Sequence, residues 1–417
     1  MDKSKDFELS EKIYILQPVL NEEYRALEKE AVALIESVGA VHAGTMFQKV
    51  REVTPSTYIG SGKLEELRQR LSGLDVTILF NGDLTPSQTL NISAALDNKK
   101  VIDRTTLILA IFARNAKSSE GKLQVELAQL KYIYPRLKGK GEALSRLGGG
   151  IGTRGPGETK LETDRRRIRV RINYLEERLK EAETRRALHI NRRKKEQVPT
   201  ISLIGYTNTG KSTLLNLLTD ADVYAENRLF ATLDPTSRKF TIDSTEFILT
   251  DTVGFLRELP HSLISAFHST LESALNSDLA LIVCDATDDY EMQLKTTLAT
   301  LEELNCTIPY LVVMNKSENL DHYDGFPAGC VFISAKENIG IESLKSEILC
   351  FFKKEYSDVE LFVTYADMKA YSELKKYATE KSFSYLDEGV SISARIRKIY
   401  LPLFDRFLSS RPHTIKH

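Results

Sequence analysis

The sequence predicts an α/β protein in three parts. A small N-terminal α/β domain carries a helical arm, a central domain has a mostly parallel sheet with helices on both faces, and a small α/β domain follows. Three observations predict this. Between residues 199 and 354, five short apolar runs (TISLIG, EFILTD, LALIVCD, YLVVMN, CVFISA) alternate with helical stretches. Strands buried on both faces of a parallel sheet read as such uninterrupted runs. The first 110 residues alternate strand-like and helix-like patterns, and the stretch between the two regions is helical in period and rich in Lys and Arg. At 417 residues the chain exceeds one ordinary domain. The boundaries are drawn at 1–115, 116–197, 198–354 and 355–417.

In order, KIYILQPVL (12–20), AVHAGTMF (40–47) and VTILFNG (76–82) read as strands. NEEYRALEKEAVALIESVG (21–39) and KLEELRQRLSGL (63–74) read as amphipathic helices, the first closing on Gly39. Together they predict a partly parallel sheet. From about residue 103 the pattern turns helical. Asp103-Arg104 precedes a helix as cap and charge partner. Leu123, Leu127, Leu130 and Tyr134 then repeat at helical spacing. Ile168, Ile172, Leu175, Leu179 and Ala182 continue a three-four pattern, predicting a long helix that pairs with the 120–137 helix as a hairpin arm. NRRKKEQVP is read as the linker that ends it. After 357, VELFVTY, DMKAYSELKKYA, GVSISARI and YLPLFDRFL suggest strand, helix, strand, helix.

Between the two arm helices lies GGGIGTRGPGE (148–158), six glycines in eleven residues. Gly150, Gly152 and Gly155 match G-x-G-x-x-G, but the preceding LKGKGEALSRL is no buried strand, and Pro156-Gly157 is expected to break a helix start. Without a strand before and a helix mouth after, the dinucleotide-binding reading lacks its physical basis. The surroundings suggest a different role. Residues 131–195 hold 20 Lys/Arg against 8 Asp/Glu, while the whole chain is at −1. A basic segment in an otherwise acidic protein is the electrostatic footprint of a polyanion, most commonly nucleic acid. The interleaved Glu176, Glu177, Glu181 and Glu183 also fit a merely solvated helix; the adjoining loop favours RNA. The charged start MDKSKDFELSEK is unlike a secretory signal, and TLILAIFA is far short of a membrane span, so no membrane anchor and a cytoplasmic location are expected. The four cysteines form no C-x-x-C pair and read as buried thiols in a reducing compartment.

The chemistry is carried by ISLIGYTNTGKST. Gly205-x4-Gly210-Lys211-Ser212 follows a strand and opens a helix, the context a P-loop requires. Backbone N–H groups of 207–213 wrap phosphates, Lys211 balances charge on the outer two, and the Ser212 hydroxyl binds Mg²⁺. Four more stations follow. Asp251 of DTVG is placed to hold the Mg²⁺ shell through water, and the Gly254 N–H to sense a γ-phosphate. Thr232 of FATLD can reach Mg²⁺, with Thr236 as the fallback. Asn315-Lys316-Ser317-Glu318 and Ser334-Ala335-Lys336 end later strands, where ligands of open α/β sheets bind.

These stretches, with YIGSGKLEEL, VIDRTTLILAIFARNAKSSEGKLQVELAQL, GGGIGTRGPGETKLETDRRRIRVRI and LFATLDPTSR, resemble the HflX family of ribosome-associated GTPases over roughly residues 10–350. The resemblance implies a P-loop GTPase domain that takes GTP and GDP with Mg²⁺. It implies an N-terminal domain and arm that engage the rRNA of the large ribosomal subunit. The GTP state is then linked to splitting or rescue of stalled and idle ribosomes. Carried over by motif, the nucleotide contacts fall on Gly205, Tyr206, Thr207, Asn208, Thr209, Gly210, Lys211, Ser212 and Thr213. Further contacts fall on Phe230, Ala231, Thr232, Leu233 and Asp234, and on Asp251, Thr252, Val253 and Gly254. Asn315, Lys316, Ser317, Glu318, Ser334 and Ala335 complete them. Lys211, Thr232 and Gly254 carry the catalytic role, and Ser212 and Thr232 the metal. Asn208 stands where similar GTPases use an Asn to help hold K⁺. The chain is read as a monomer with no DNA partner.

Two positions depart from the common pattern. Glu318 stands where guanine readers carry Asp; its two acceptor oxygens sit on a longer stem, which keeps guanine preference with looser geometry and opens adenine binding. Phe255 stands where many GTPases carry a water-orienting Gln. Either a partner completes the site, or the ring packs under the switch while another group holds the water. His261 and His268 are read as surface helix residues. Two rival functions remain: a nucleotide-gated RNA- or ribosome-binding factor whose hydrolysis only resets binding, and an RNA-remodelling enzyme using ATP or GTP.

Overall fold

The computed structural model describes residues 11–20, 24–146, 156–196, 198–219, 229–230, 236–243, 245–252, 254–257 and 276–408. Residues 147–155, with most of the glycine loop, therefore lie outside the described residues, as do Ala231–Asp234, Val253, His261 and His268.

The first sheet holds β1 (Lys12–Val19), β2 (Val41–Lys49), β3 (Thr77–Phe80) and β4 (Val101–Asp103) in the order β2-β1-β3-β4. All of its pairs are parallel, where the sequence suggested a partly parallel sheet. Alternation along β1 sends Ile13 and Ile15 to one face and Tyr14 and Leu16 to the other, as a period of two requires. The first face is covered by α1 (Tyr24–Ser37) and α4 (Arg104–Asn115), the second by α2 (Ser61–Arg70) and α3 (Pro86–Ala95). Asp103 caps α4, accepting from Thr106 N at 2.9 Å, and Arg104 pairs with Glu30, so both expected roles hold.

The arm pairs α5 (Ser119–Arg146) with α6 (Pro156–Glu196). Arg171 donates from Nε and Nη2 to the two carboxylate oxygens of Glu126, Lys131 meets Glu176, and Arg169 donates to the Tyr134 hydroxyl. Two readings are corrected here. Pro156 does not break the helix but begins it, because at the first helical position its missing N–H is an orphan anyway. The supposed linker NRRKKE is the last turns of α6, its Arg and Lys being good helix formers. At 41 residues α6 is about 60 Å long.

The central sheet runs β10-β9-β8-β5-β7-β6. Its strands are β5 (Thr200–Gly205), β6 (Thr236–Ile242), β7 (Thr245–Asp251), β8 (Leu279–Asp285), β9 (Tyr310–Asn315) and β10 (Val331–Phe332). Every pair is parallel except β6 with β7. The C-terminal sheet, order β11-β13-β12, is antiparallel, with β11 (Tyr356–Thr364), β12 (Ala378–Leu386) and β13 (Gly389–Arg397). It contains a third strand absent from the sequence reading, and its last helix is of the tighter 3-10 type (Lys398–Phe407).

The N-terminal and central domains share one apolar cluster. Residues of α1, α4 and α5 pack in it with Tyr206, Leu229, Phe230, Phe255 and Leu256. Phe230 meets Phe112 edge to face at 4.6 Å between ring centres.

Candidate nucleotide site

The loop from β5 into α7 (Lys211–Thr219) is shaped by two glycines at positive φ. At Gly205 an added Cβ would lie 2.3 Å from the Val283 carbonyl oxygen, and at Gly210 one would lie 2.2 Å from Asn315 Nδ2. Neither position tolerates a side chain without displacing the Val283 backbone or the Asn315 side chain. Gly210 thus lets the Asn315 end of β9 close onto the phosphate loop. Asn315 Nδ2 donates to Thr209 O at 2.7 Å, and Asn315 Oδ1 accepts from Ala335 N at 2.9 Å. Three stations distant in sequence meet through one side chain.

Lys211 is buried, its ammonium donating to the carbonyls of Gly205 and Tyr206 at 3.1 and 2.5 Å. Burial pulls its pKa down to about 8, with the Asp251 carboxylate opposing. Ser212 Oγ donates to Asp251 Oδ2 at 2.7 Å, which sets one expected Mg²⁺ ligand beside the carboxylate expected to act through water; Thr232, the other expected ligand, lies outside the described residues. Thr252 is fixed by donating to Leu203 O at 2.6 Å. Gly254 lies against the loop: a Cβ there would be 2.8 Å from Thr207 Cα and 2.9 Å from Lys211 Nζ. Thr207 N donates to Phe255 O at 2.8 Å and Phe255 N to Gly205 O at 3.0 Å, so the DTVG strand end is zipped to the phosphate loop.

At the base end, Lys316 has φ +65° and pairs with Asp285, whose Oδ1 also accepts from Thr287 N and Oγ1. Ser317 is buried and donates its N–H to Ile333 O. Ser334 Oγ accepts from Glu337 N, shaping the turn that presents Ala335. Glu318 is exposed, as is Asn208 at φ +61°, while Thr213 is half-buried. Glu318→Asp, which shortens the stem, is expected to raise the preference for GTP over ATP about tenfold, the worth of one well-placed charged hydrogen bond. Equal preference in both proteins, read by competition binding, would remove Glu318 as guanine reader.

Two side chains of the sequence-predicted set are engaged by the N-terminal domain. The ring of Phe230 is buried against Phe112, and its carbonyl accepts from Asn115 Nδ2 at 2.7 Å. The Tyr206 hydroxyl points to Glu30 of the N-terminal domain at 2.7 Å. Phe255 is 2% exposed, its ring buried in the shared apolar cluster with Tyr206, Phe230 and Leu256. Sequence reading missed Glu30 and Asp285 as neighbours of the site. Asp285 ends an apolar strand like the other stations, and that was the available signal; Glu30 left none.

The comparisons with known proteins cover this same ground. Residues 26–113 match the model described as GTP-binding GTPase N-terminal, 115–193 the GTP-binding GTPase middle region, and 200–316 the 50S ribosome-binding GTPase. The chain is 46% identical over 371 residues to GTPase HflX of Caldanaerobacter subterraneus subsp. tengcongensis, covering 88% of this chain and 86% of that one. It is 44% identical over 300 residues to GTPase HflX of Escherichia coli, covering 71% and 70%. It also aligns with the crystal structure of a GTP-binding protein from Sulfolobus solfataricus in complex with GDP, at 25% identity and a TM-score of 0.45, covering 82% and 99%. With nearly nine-tenths of its length aligned to the Caldanaerobacter protein at that identity, the chain belongs to the HflX family of GTPases.

Proposed function

We propose that this protein is a Mg²⁺-dependent GTPase that binds the large ribosomal subunit, is stimulated by the ribosome, and splits or rescues stalled and idle ribosomes. The observation that carries the reading is the pairing of a P-loop with a buried Phe255. Lys211, Ser212, Asp251 and Gly254 converge on one spot, while the residue after the glycine offers a phenyl ring instead of a group that orients water. A site complete for binding but short of a water-positioning group is one that a partner activates. Ser212, whose hydroxyl lies against Asp251, would hold a Mg²⁺ ion directly and Asp251 through water, and the bound metal would supply positive charge against the phosphates.

The arm supplies the second surface. Arg166, Arg167 and Arg169 are exposed along α6, with Val170 and Tyr174 exposed just after them, a mixture suited to RNA phosphates and stacked bases. Among the described residues no helix is long and apolar enough to cross a membrane, and a cytoplasmic factor is the reading adopted. The deciding experiment is co-sedimentation with separated ribosomal subunits in GTP, GDP and a non-hydrolysable analogue, paired with turnover measured with and without ribosomes. We expect binding to the large subunit that is tightest with the analogue, and turnover raised at least tenfold by ribosomes. Equal turnover with and without them overturns activation by the ribosome.

Asn208, exposed within the phosphate loop, is proposed to help hold K⁺ against the phosphates, where the ion supplies charge that an arginine finger supplies elsewhere. Turnover in K⁺ is then expected to exceed turnover in Na⁺; identical rates in both, with ribosomes present and absent, dispose of the idea.

A further inference from the structure

Between the phosphate loop and the N-terminal domain runs a buried chain of polar groups that nucleotide binding does not itself require. Tyr206 Oη donates to Glu30 Oε2 at 2.7 Å and accepts from Arg257 N at 2.7 Å. Arg104 donates to Glu30 Oε1 at 2.6 Å, to Arg257 O at 3.1 Å and to Asn81 Oδ1 at 2.9 Å. The Arg257 guanidinium reaches Asp289 at 3.1 Å. Glu30, Arg104, Tyr206 and Arg257 are all buried. Loss of water raises the Glu30 carboxyl and the Tyr206 hydroxyl above their ordinary values, with Arg104 opposing at Glu30. Polar groups so placed are costly unless every partner is kept, so the chain holds as a unit or opens as one.

Its position matters because Arg257 follows Phe255 by two residues. Both its backbone N–H and its carbonyl are gripped, one by the phosphate loop's own tyrosine and one by the N-terminal domain. The same segment is zipped to Gly205 and Thr207. A γ-phosphate that accepts from both the Lys211 ammonium and the Gly254 N–H needs the width of an oxygen atom between them. In the described conformation Gly254 is packed close to that ammonium and to the phosphate loop: a Cβ built on it would stand 2.9 Å from Lys211 Nζ and 2.8 Å from Thr207 Cα. A terminal phosphate entering between these two groups would have to share that space with the zipped segment, and a diphosphate lacks the group that would enter it. On the other side of the site, the N-terminal domain holds Phe230 at φ +57° through Asn115 and Phe112, and Leu229 N through Ser37 Oγ at 3.1 Å. The segments entering both switch regions are thus tied to one neighbour.

We propose that the Glu30–Arg104–Tyr206–Arg257 chain is a relay through which the N-terminal domain senses the terminal phosphate: GTP opens it and GDP leaves it closed. The proposal rests on the GTPase reading of the site given above. By linkage, whatever grips the N-terminal domain in its released arrangement favours GTP by the same factor that GTP favours release.

The test uses the full chain. Amide hydrogen exchange of α1 and α4, which carry Glu30 and Arg104, is compared with GDP and with a non-hydrolysable GTP analogue bound. We expect exchange at least tenfold faster around these residues with the analogue. The double variant Glu30→Gln with Arg104→Met removes both buried charges together while keeping their volumes. In it, the ratio of analogue affinity to GDP affinity is expected to rise about tenfold, the worth of one to two hydrogen bonds present only in the closed form. The nucleotide dependence of exchange should vanish with it. Identical exchange with both nucleotides in the parent protein overturns the relay even if the variant fails to fold. So does an unchanged affinity ratio in a variant that melts as the parent does. If the parent binds neither nucleotide, the GTPase reading falls first and the relay with it.

Discussion

Lys211→Ala is expected to abolish tight nucleotide binding and to lower turnover by at least about a hundredfold, the scale seen when one preorganised donor to developing charge is lost. The ammonium lies at the loop expected to take the outer phosphates, and its position is fixed by two carbonyls and by the close approach of Gly254. A Lys211→Ala protein that hydrolyses GTP at the parent rate means the site has been misplaced. The pH dependence has a definite sign. Lys211 is pulled from the ordinary 10.5 to about 8 by burial. Between those values the unfolded chain holds a proton that the folded chain has released, so this residue's contribution to stability rises with pH through that window. Phosphates require the charged form, so GDP affinity should fall as pH rises past about 8. Calorimetry just above that pH, in buffers of different ionisation enthalpy, should show proton uptake on binding; its absence in the parent means the ammonium stays charged throughout.

Shortening residues 148–158 to a two-residue turn is expected to remove the effect on ribosomes while leaving GTP affinity and unaided hydrolysis as they were. The loop joins the end of α5 to the start of α6, and six glycines permit close approach to a sugar-phosphate backbone. Arg146 and Arg154 bring charge to it, and Arg165 to Arg167 follow. Binding should weaken less than function, because the basic face of α6 remains, and should fade steeply with salt as phosphate contacts release counterions. A shortened protein that still splits or rescues ribosomes at the parent rate reduces the glycines to a connector.

What could be read from the sequence divides by how local its cause is. β1, β5, β7 and β8 were legible because burial on both faces demands an unbroken apolar run. β6 and β12 were not, since TSRKFTI and ATEKSFSYL lie on sheet edges and keep polar residues. β4 is three residues long, and α3 was overlooked although Thr85-Pro86 with Gln88 forms a full capping box. The phosphate loop was legible because its chemistry depends on backbone shape, which glycine spacing records. The coupling of Glu30 to Tyr206 spans 176 positions and rests on side chains alone, so neither residue's local pattern announces it.

The shared apolar cluster has a consequence for synthesis. The face bearing Ser37, Phe112 and Asn115 is finished by Leu229 and Phe230, and the Asn115 contact joins residues 115 positions apart. At the pace of translation, that leaves the N-terminal domain waiting roughly ten seconds for its cover. The arm is made in the interval, between the two halves that must meet. A nascent chain halted before residue 229 should therefore present an oily, half-finished face to chaperones, and one halted well past 257 should not.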